Sequence, residues 1–344
     1  MRSTMTAVLL VAATLLAVVT SRKSLGHDPA GYVYQHHTVA HPYMNSGMDI
    51  PHWRIGGSTL VTDSYIRLTP DRQSRRGYLW NSRPYKLLAT QVPEDEGSMS
   101  DFQLDISFHV HGQGVRLYGD GFAVWYTKES EEMGPVFGNR DKFTGLGIFF
   151  DTYSNVQQGH QQYISVMIGD GEQAYDHDVD GGDAKIAGCP LRFRSRSDEV
   201  PYHARIIYQD KILRMHLDLN TGNWHECFVV RRVHLPPGYH FGVTAATGDL
   251  ADNHDIISFK VSEPVEMDPE EKKELMDRIH EDEVLEQKNP DQLLHKGQDI
   301  QYENPDAEGS WFWVGVVVVV LIAATFGGLF VYSKSQQKAS RFNF

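Results

Sequence analysis

Residues 104–110 read Leu104–Asp105–Ile106–Ser107–Phe108–His109–Val110, with apolar and polar side chains alternating without a break. Successive side chains of a strand point to opposite faces, so this period of two predicts a half-buried β-strand. Outward from it the same chemistry recurs. Phe122–Thr127 (FAVWYT), Leu146–Phe150 (LGIFF) and Tyr163–Ile168 (YISVMI) are short, β-rich runs. Ala204–Tyr208, Ile212–Leu217, Cys227–Val233, Tyr239–Val243 and Ile256–Val261 continue the series. Turn residues punctuate them at Asp180–Gly181–Gly182, Asn220–Thr221–Gly222 and Pro236–Pro237–Gly238. Many short strands separated by turns predict an all-β sandwich or barrel, and the span suits one antiparallel sandwich with a substantial core.

The chain has 344 residues, 41% hydrophobic and 22% charged, which excludes wholesale disorder. Its net charge of −13 makes it a poor nucleic-acid binder, because phosphate contacts need a basic surface. Two cysteines supply neither a disulfide-dense scaffold nor a four-thiolate zinc site. The charge is unevenly spread. Glu263–Glu308 holds 16 acids against 5 bases, so that segment reads as a region apart from the body.

The two ends define a compartment. Residues 1–21 carry a basic Arg2, an apolar run from Ala7 to Val19 and then small residues, the pattern of a secretory signal peptide. As a helix that run rises only about 20 Å, short of a bilayer core. Residues 311–332 (WFWVGVVVVVLIAATFGGLFVY) contain neither charge nor proline and would span about 33 Å, enough to cross one. Trp311, Trp313 and Tyr332 suit the aromatic belts at the two interfaces. Residues 333–344 hold Lys334, Lys338 and Arg341 and no acid, which puts the tail in the cytosol. Residues 22–262 then form a luminal domain on a single-pass membrane protein. There Cys189 and Cys227 meet an oxidising environment and are predicted to pair, stabilising the fold by about 4 kcal/mol. No Asn-x-Ser/Thr sequon occurs, so the domain itself should carry no N-linked glycan.

Residues 263–310 read as an acidic, partly helical stalk. Asp268–Pro269–Glu270–Glu271 supplies an N-cap, a first-turn proline and acids at the positive end of a helix, and Leu275, Met276 and Ile279 give it a short apolar stripe. Asn289–Pro290, Gly297 and Asn304–Pro305 break up the remainder.

Some luminal segments are more polar than a plain sandwich requires. Asp151 ends an apolar strand, Tyr153 can turn its main-chain carbonyl inward, Asn155 can add an amide oxygen, and Asp180 can close the shell from another loop. Six to eight hard oxygens of these types are what Ca2+ takes. The same Asp-x-Tyr-x-Asn run also reads as an Asx-rich turn after a strand. The oxygen-rich set, with one histidine nearby, suits zinc less well.

Ordered motifs over more than 200 residues resemble the leguminous-type (L-type) lectins of the early secretory pathway, most closely the vesicular integral membrane lectins. They include Tyr65–Ile66–Arg67–Leu68–Thr69–Pro70, His111–Gly112–Gln113–Gly114, Gly119–Asp120–Gly121 and Trp125–Tyr126–Thr127. Gly134–Pro135–Val136–Phe137–Gly138, Asp151–Thr152–Tyr153, Tyr175–Asp176–His177, Gly248–Asp249–Leu250 and Asp252–Asn253–His254–Asp255 also match. The resemblance implies a concanavalin-like jelly roll of two antiparallel sheets that binds high-mannose N-glycans with Ca2+. It assigns Asp151, Tyr153, Asn155 and Asp180 to the metal. It assigns Asp120, Asn155, His177, Gly248, Asp249 and Leu250 to mannose, and Ser74 to the outer sugar arm. It also implies a cis peptide before Asp120.

One departure from the family pattern stands out. Residues 87–100 (LLATQVPEDEGSMS) look like a surface insertion, and they follow the Ser74 segment. The function implied is that of a non-enzymatic cargo receptor for glycoprotein transport, sorting or quality control between endoplasmic reticulum and Golgi. Its tail residues Arg341, Phe342 and Phe344 would be read by cytosolic vesicle-coat components. The alternative is a protein-binding trafficking adaptor with a vestigial sugar site. A glycoside hydrolase is disfavoured, because it needs a second free carboxylate opposite Asp120. A last expectation concerns pH: His177, with an ordinary value near 6.5, is predicted to gate release on mild acidification while the carboxylates stay ionised.

Overall fold

The computed structural model of the protein describes residues 31–86, 101–153, 155, 162–195 and 200–288, with side chains up to residue 281. The predicted signal peptide (1–21), insertion (87–100), stalk beyond residue 288, membrane span (311–332) and tail (333–344) lie outside the described residues. No helix among the described residues is long and apolar enough to cross a membrane.

In chain order the strands are β1 (Val39–Ala40), β2 (Trp53–Gly57), β3 (Leu60–Val61), β4 (Ile66–Thr69), β5 (Arg76–Asn81), β6 (Phe102–His111), β7 (Gly121–Thr127) and β8 (Met133–Val136). There follow β9 (Thr144–Asp151), β10 (Tyr163–Asp170), β11 (Ala187–Pro190), β12 (Tyr202–Gln209), β13 (Ile212–Asp218), β14 (His225–Val230), β15 (His240–Ala246) and β16 (Asn253–Ser262). One sheet runs β14-β13-β12-β6-β16-β4-β3, with β1 also on β16; the other runs β11-β10-β9-β7-β15-β5-β2. Neighbouring strands are antiparallel throughout. The fold is the all-β, antiparallel two-sheet sandwich.

Between the sheets the apolar face of β6 meets those of β7 and β9. Phe108 packs on Phe122 and Phe150, and the last two stack at 4.3 Å. Such aromatic pairs add about 0.5–1.5 kcal/mol each beyond the area they bury. A second, smaller core covers the outer face of the seven-stranded sheet, where Trp125, Phe143 and Phe149 meet Phe137 and Tyr175 from overlying loops. These loops are therefore held by packing, and one of them leads into Asp180.

β6 differs from its prediction in one respect. Asp105, Ser107 and His109 are buried, so the strand is covered on both faces. Arg205 of β12 donates to Asp105 at 2.6 Å, Gln103 donates to the other carboxylate oxygen at 2.7 Å, and the Trp224 ring lies over Arg205 at 4.7 Å. A polar face can be buried when its groups find partners. The predicted strand Cys227–Val233 starts earlier and stops at Val230, with Arg232 in the left-handed region at φ 57°.

Cys189 and Cys227 form a disulfide with a sequence separation of 38. It ties β11 to β14, the last strands of the two sheets. Helix α1 (Pro269–Lys288) follows the sandwich, and the Asp268 carboxylate accepts from the Glu270 N–H at its start. Its residues Leu275 and Ile279 are buried, and Arg278 forks onto Glu226 of β14 at 2.8 and 3.1 Å. The first turns of the acidic segment thus lie against the domain.

Candidate sugar and calcium site

Strand register builds the site. Arg76 pairs with Ala246, Ala246 with Gly121, Gly121 with Asp151, and Asp151 with Tyr163. These five residues form one row at the end of β5, β15, β7, β9 and β10. Ser74 enters just before the row, Asp120 just before it on β7, residues 247–250 leave just after it, and residues 153–155 leave just after Asp151. Antiparallel pairing alone therefore gathers segments more than 170 positions apart at one end of one sheet.

In the loops expected to contact sugar, the Gly119–Asp120 peptide is cis. The Gly248 N–H donates to the Asp120 carboxylate. The Ser74 N–H donates to the Gly248 carbonyl at 3.0 Å, and Gln73 Nε2 donates to the Asp249 carbonyl at 2.6 Å. Thr247 completes the staple, since its hydroxyl donates to the Arg72 carbonyl at 2.7 Å and accepts from the Arg75 N–H at 2.9 Å. Gln73 and Thr247 were not assigned roles from sequence. Nothing distinguishes them there from ordinary loop polar residues.

In the loops expected to hold metal, Asp151 Oδ1 accepts from the Tyr153 N–H at 2.8 Å, the Asx turn that its sequence allows. Both Asp180 oxygens accept from the Asn155 N–H, at 2.9 and 3.2 Å, and Asn155 Nδ2 donates to the His177 carbonyl at 2.6 Å. Asp180 sits in the left-handed region (φ 50°, ψ 45°), which aspartate tolerates better than most residues. Asp151, Tyr153, Asn155, His177 and Asp180 are thereby brought into one loop cluster.

The electrostatics of that cluster test whether a cation fits. Burial pushes the Asp151 carboxyl well above its ordinary range, and the nearby Asp180 and Asp120 push it further, against the Tyr153 N–H bond and a weaker pull from Lys185. Burial also raises Asp120 to about 6, with Asp249 adding to the rise. Buried carboxylates that repel one another and lack a strong cationic partner are a site that a divalent cation would relieve. Among the described residues no three His, Cys, Asp or Glu side chains converge as metal ligands. The donor set instead mixes carboxylate, amide and main-chain oxygens, a mixture calcium accepts.

Burial opposes the expected histidine switch. Burial lowers His177 below its ordinary 6.5, against opposing pulls from Asp141, Asp176 and Asp178. Asp120 moves the other way. Burial thus moves Asp120 toward the mildly acidic range and favours the neutral form of His177.

The sequence model of the legume-like lectin family matches residues 30–271. A VIP36-like protein of Pongo abelii is 36% identical over 318 residues, covering 90% of this chain and 85% of its own length. The vesicular integral-membrane protein VIP36 of Homo sapiens is 40% identical over 263 residues, 75% of this chain and 69% of its own. The crystal structure of the VIP36 exoplasmic/lumenal domain in its Ca2+/Man3GlcNAc-bound form matches with a TM-score of 0.60 at 39% identity, over 69% of this chain and 95% of that one.

Proposed function

The chain belongs to the legume-like lectin family, and we propose that it is a calcium-dependent lectin for high-mannose N-glycans that serves as a cargo receptor between endoplasmic reticulum and Golgi. Proteins of this family bind carbohydrate without chemistry on it, so the chain is not an enzyme. The observation that carries the reading is the single row of strand ends that gathers Asp120, Asp151, Asn155 and residues 247–250, with Asp180 brought onto Asn155 by the loop packed over that sheet. A VIP36 domain crystallised with Ca2+ and a mannose trisaccharide on GlcNAc supports it.

In this reading Asp151, the Tyr153 carbonyl, Asn155 and Asp180 hold Ca2+. The bound ion supplies charge that offsets the repulsion among these carboxylates and fixes the loops. Asp120 accepts from two vicinal mannose hydroxyls, which are donors and acceptors at once. Main-chain groups of Gly248, Asp249 and Leu250 offer fixed partners, Asn155 and His177 line the opposite side, and Ser74 borders the outer arm. Because Gln73, Ser74 and Thr247 already staple these loops, little ordering remains to oppose binding.

The remaining parts of the reading are the luminal orientation, the single membrane span and recognition of Arg341, Phe342 and Phe344 by coat components. A glycan array probed with and without EDTA tests the core of it. Calcium-dependent signal on high-mannose glycans is the expected outcome. Absence of any glycan signal would favour the protein-binding adaptor.

A further inference from the structure

The loop 112–118, between β6 and β7, leads directly into Gly119 and Asp120. Its outer residues have little to hold them: Val115 is 68% exposed and Leu117 55%. The loop's position therefore depends on its two ends, and both ends meet one side chain. Arg194 Nη2 donates to the Gly112 carbonyl at 3.2 Å, and the Arg194 guanidinium carbon lies 4.0 Å from the centre of the Tyr118 ring.

The same guanidinium forks onto Asp252, with Nε and Nη2 at 2.8 and 2.7 Å from its two oxygens. Asp252 lies two positions after Leu250. The Arg194 side chain is 4% exposed and that of Asp252 0%, so this is a buried bidentate pair. One residue thus joins the chain that enters Asp120 to the chain that leaves the Gly248–Leu250 segment. Arg194 is itself fixed, since its N–H donates to Gln162 Oε1 at 2.8 Å, beside the strand residue that faces Asp151. Close approach is built in as well, because a Cβ on Gly112 would stand 2.5 Å from Asp252 Oδ1.

We propose that Arg194 is a positioning residue of the glycan site, aiming the Asp120 carboxylate through Tyr118 and setting its distance from the Gly248–Leu250 segment. The proposal rests on Asp120 being a sugar contact. Arginine is required because one planar group must donate two parallel bonds to a carboxylate, a third to a carbonyl, and present a face to an aromatic ring. Lysine keeps the charge opposite Asp252 but cannot do the rest. Arg194 does not itself reach the sugar.

The test uses the full-length chain and calorimetry with α-linked mannobiose at saturating calcium, alongside titration of calcium alone. Arg194→Lys and Tyr118→Leu are each expected to weaken mannobiose binding about tenfold, the size of effect typical of outer-shell supports. Calcium affinity should hold in both, and the melting temperature should hold in Tyr118→Leu. The double variant should bind no more weakly than Arg194→Lys, because both changes act along one route. Should Arg194→Lys fail to fold, Tyr118→Leu carries the test, since it leaves the buried ion pair intact. Wild-type mannobiose affinity in either single variant would overturn the proposal, as would parallel loss of calcium and mannobiose, or unfolding of both variants. Asp120→Asn keeps the two readings apart. If it binds mannobiose normally, the sugar-site assignment fails; if it alone loses binding, only the positioning role fails.

Discussion

The Gly248 N–H donates to the Asp120 carboxylate, and a methyl group on Gly248 would stand 3.2 Å from both of that carboxylate's oxygens. The close approach explains why a glycine serves here. Gly248→Ala should fold normally and bind mannobiose about tenfold more weakly, because the carboxylate must shift from its preorganised place. Calorimetry beside a thermal melt measures both, and unchanged affinity would detach Gly248 from the site.

Asp120→Asn and Asn155→Ala should separate sugar from metal. Asp120 touches no proposed ligand oxygen, so its substitution should abolish glycan binding while calcium still binds. Asn155→Ala removes a proposed ligand and should weaken both. Calcium titrations read at pH 7.4, with and without mannobiose, check the split. Retained high-mannose binding in Asp120→Asn would contradict the assignment.

Acidification should weaken glycan binding. With Asp120 raised to about 6 by burial, it is largely ionised at pH 7.4 and takes up a proton as pH falls through 6. Protonation removes acceptor capacity, so affinity present above that value is lost below it. Burial favours the neutral form of His177. His177→Gln should therefore bind more weakly yet keep the same acid midpoint. A midpoint that disappears with His177 would return the switch to the histidine.

Removing the disulfide should destabilise the domain strongly. The Cys189–Cys227 bridge closes a loop with a separation of 38. In chain-entropy terms that contributes about 4 kcal/mol. Denaturant unfolding of the Cys189→Ser/Cys227→Ser variant reads the loss directly, and a change under about 1 kcal/mol would show that the unfolded chain gains little freedom.

Replacing Phe342 and Phe344 with alanine should delay exit of the full-length chain from the endoplasmic reticulum. A pulse-chase measures it, and unchanged kinetics would leave the tail without this role.

The central strands of both sheets were legible because their apolar runs are short, β-branched or aromatic, and bounded by turns. The strands between Trp53 and Asn81 were not. WRIGG and RGYLWN carry glycines, and RGYLWN buries Leu79 on one face and Trp80 on the other, so neither a polar–apolar alternation nor a clean apolar run marks them. That Asp151, Asn155 and Asp180 come together was legible, because oxygen donors clustered after a strand are unusual for packing alone. The direction of the pKa shifts was not. Asp120 and His177 move toward and away from neutrality through burial, which depends on how distant loops cover them. Arg194 gave no signal either, since one arginine among several in RFRSR becomes special only when Asp252, Gly112 and Tyr118 arrive around it.

The bridge between β11 and β14 bears on colloidal behaviour as well as on folding. The last strand of each sheet presents unpaired N–H and C=O groups, a ready template for adding a strand from another molecule. Here the two terminal strands on one side are bonded to each other, and α1 lies against β14 through Arg278 and Glu226. On the other side the sheets end in β3, only two residues long, and in β2, which carries Arg54 and two glycines. A sandwich finished in this way resists edge-to-edge aggregation even where extended, incompletely folded chains are abundant around it.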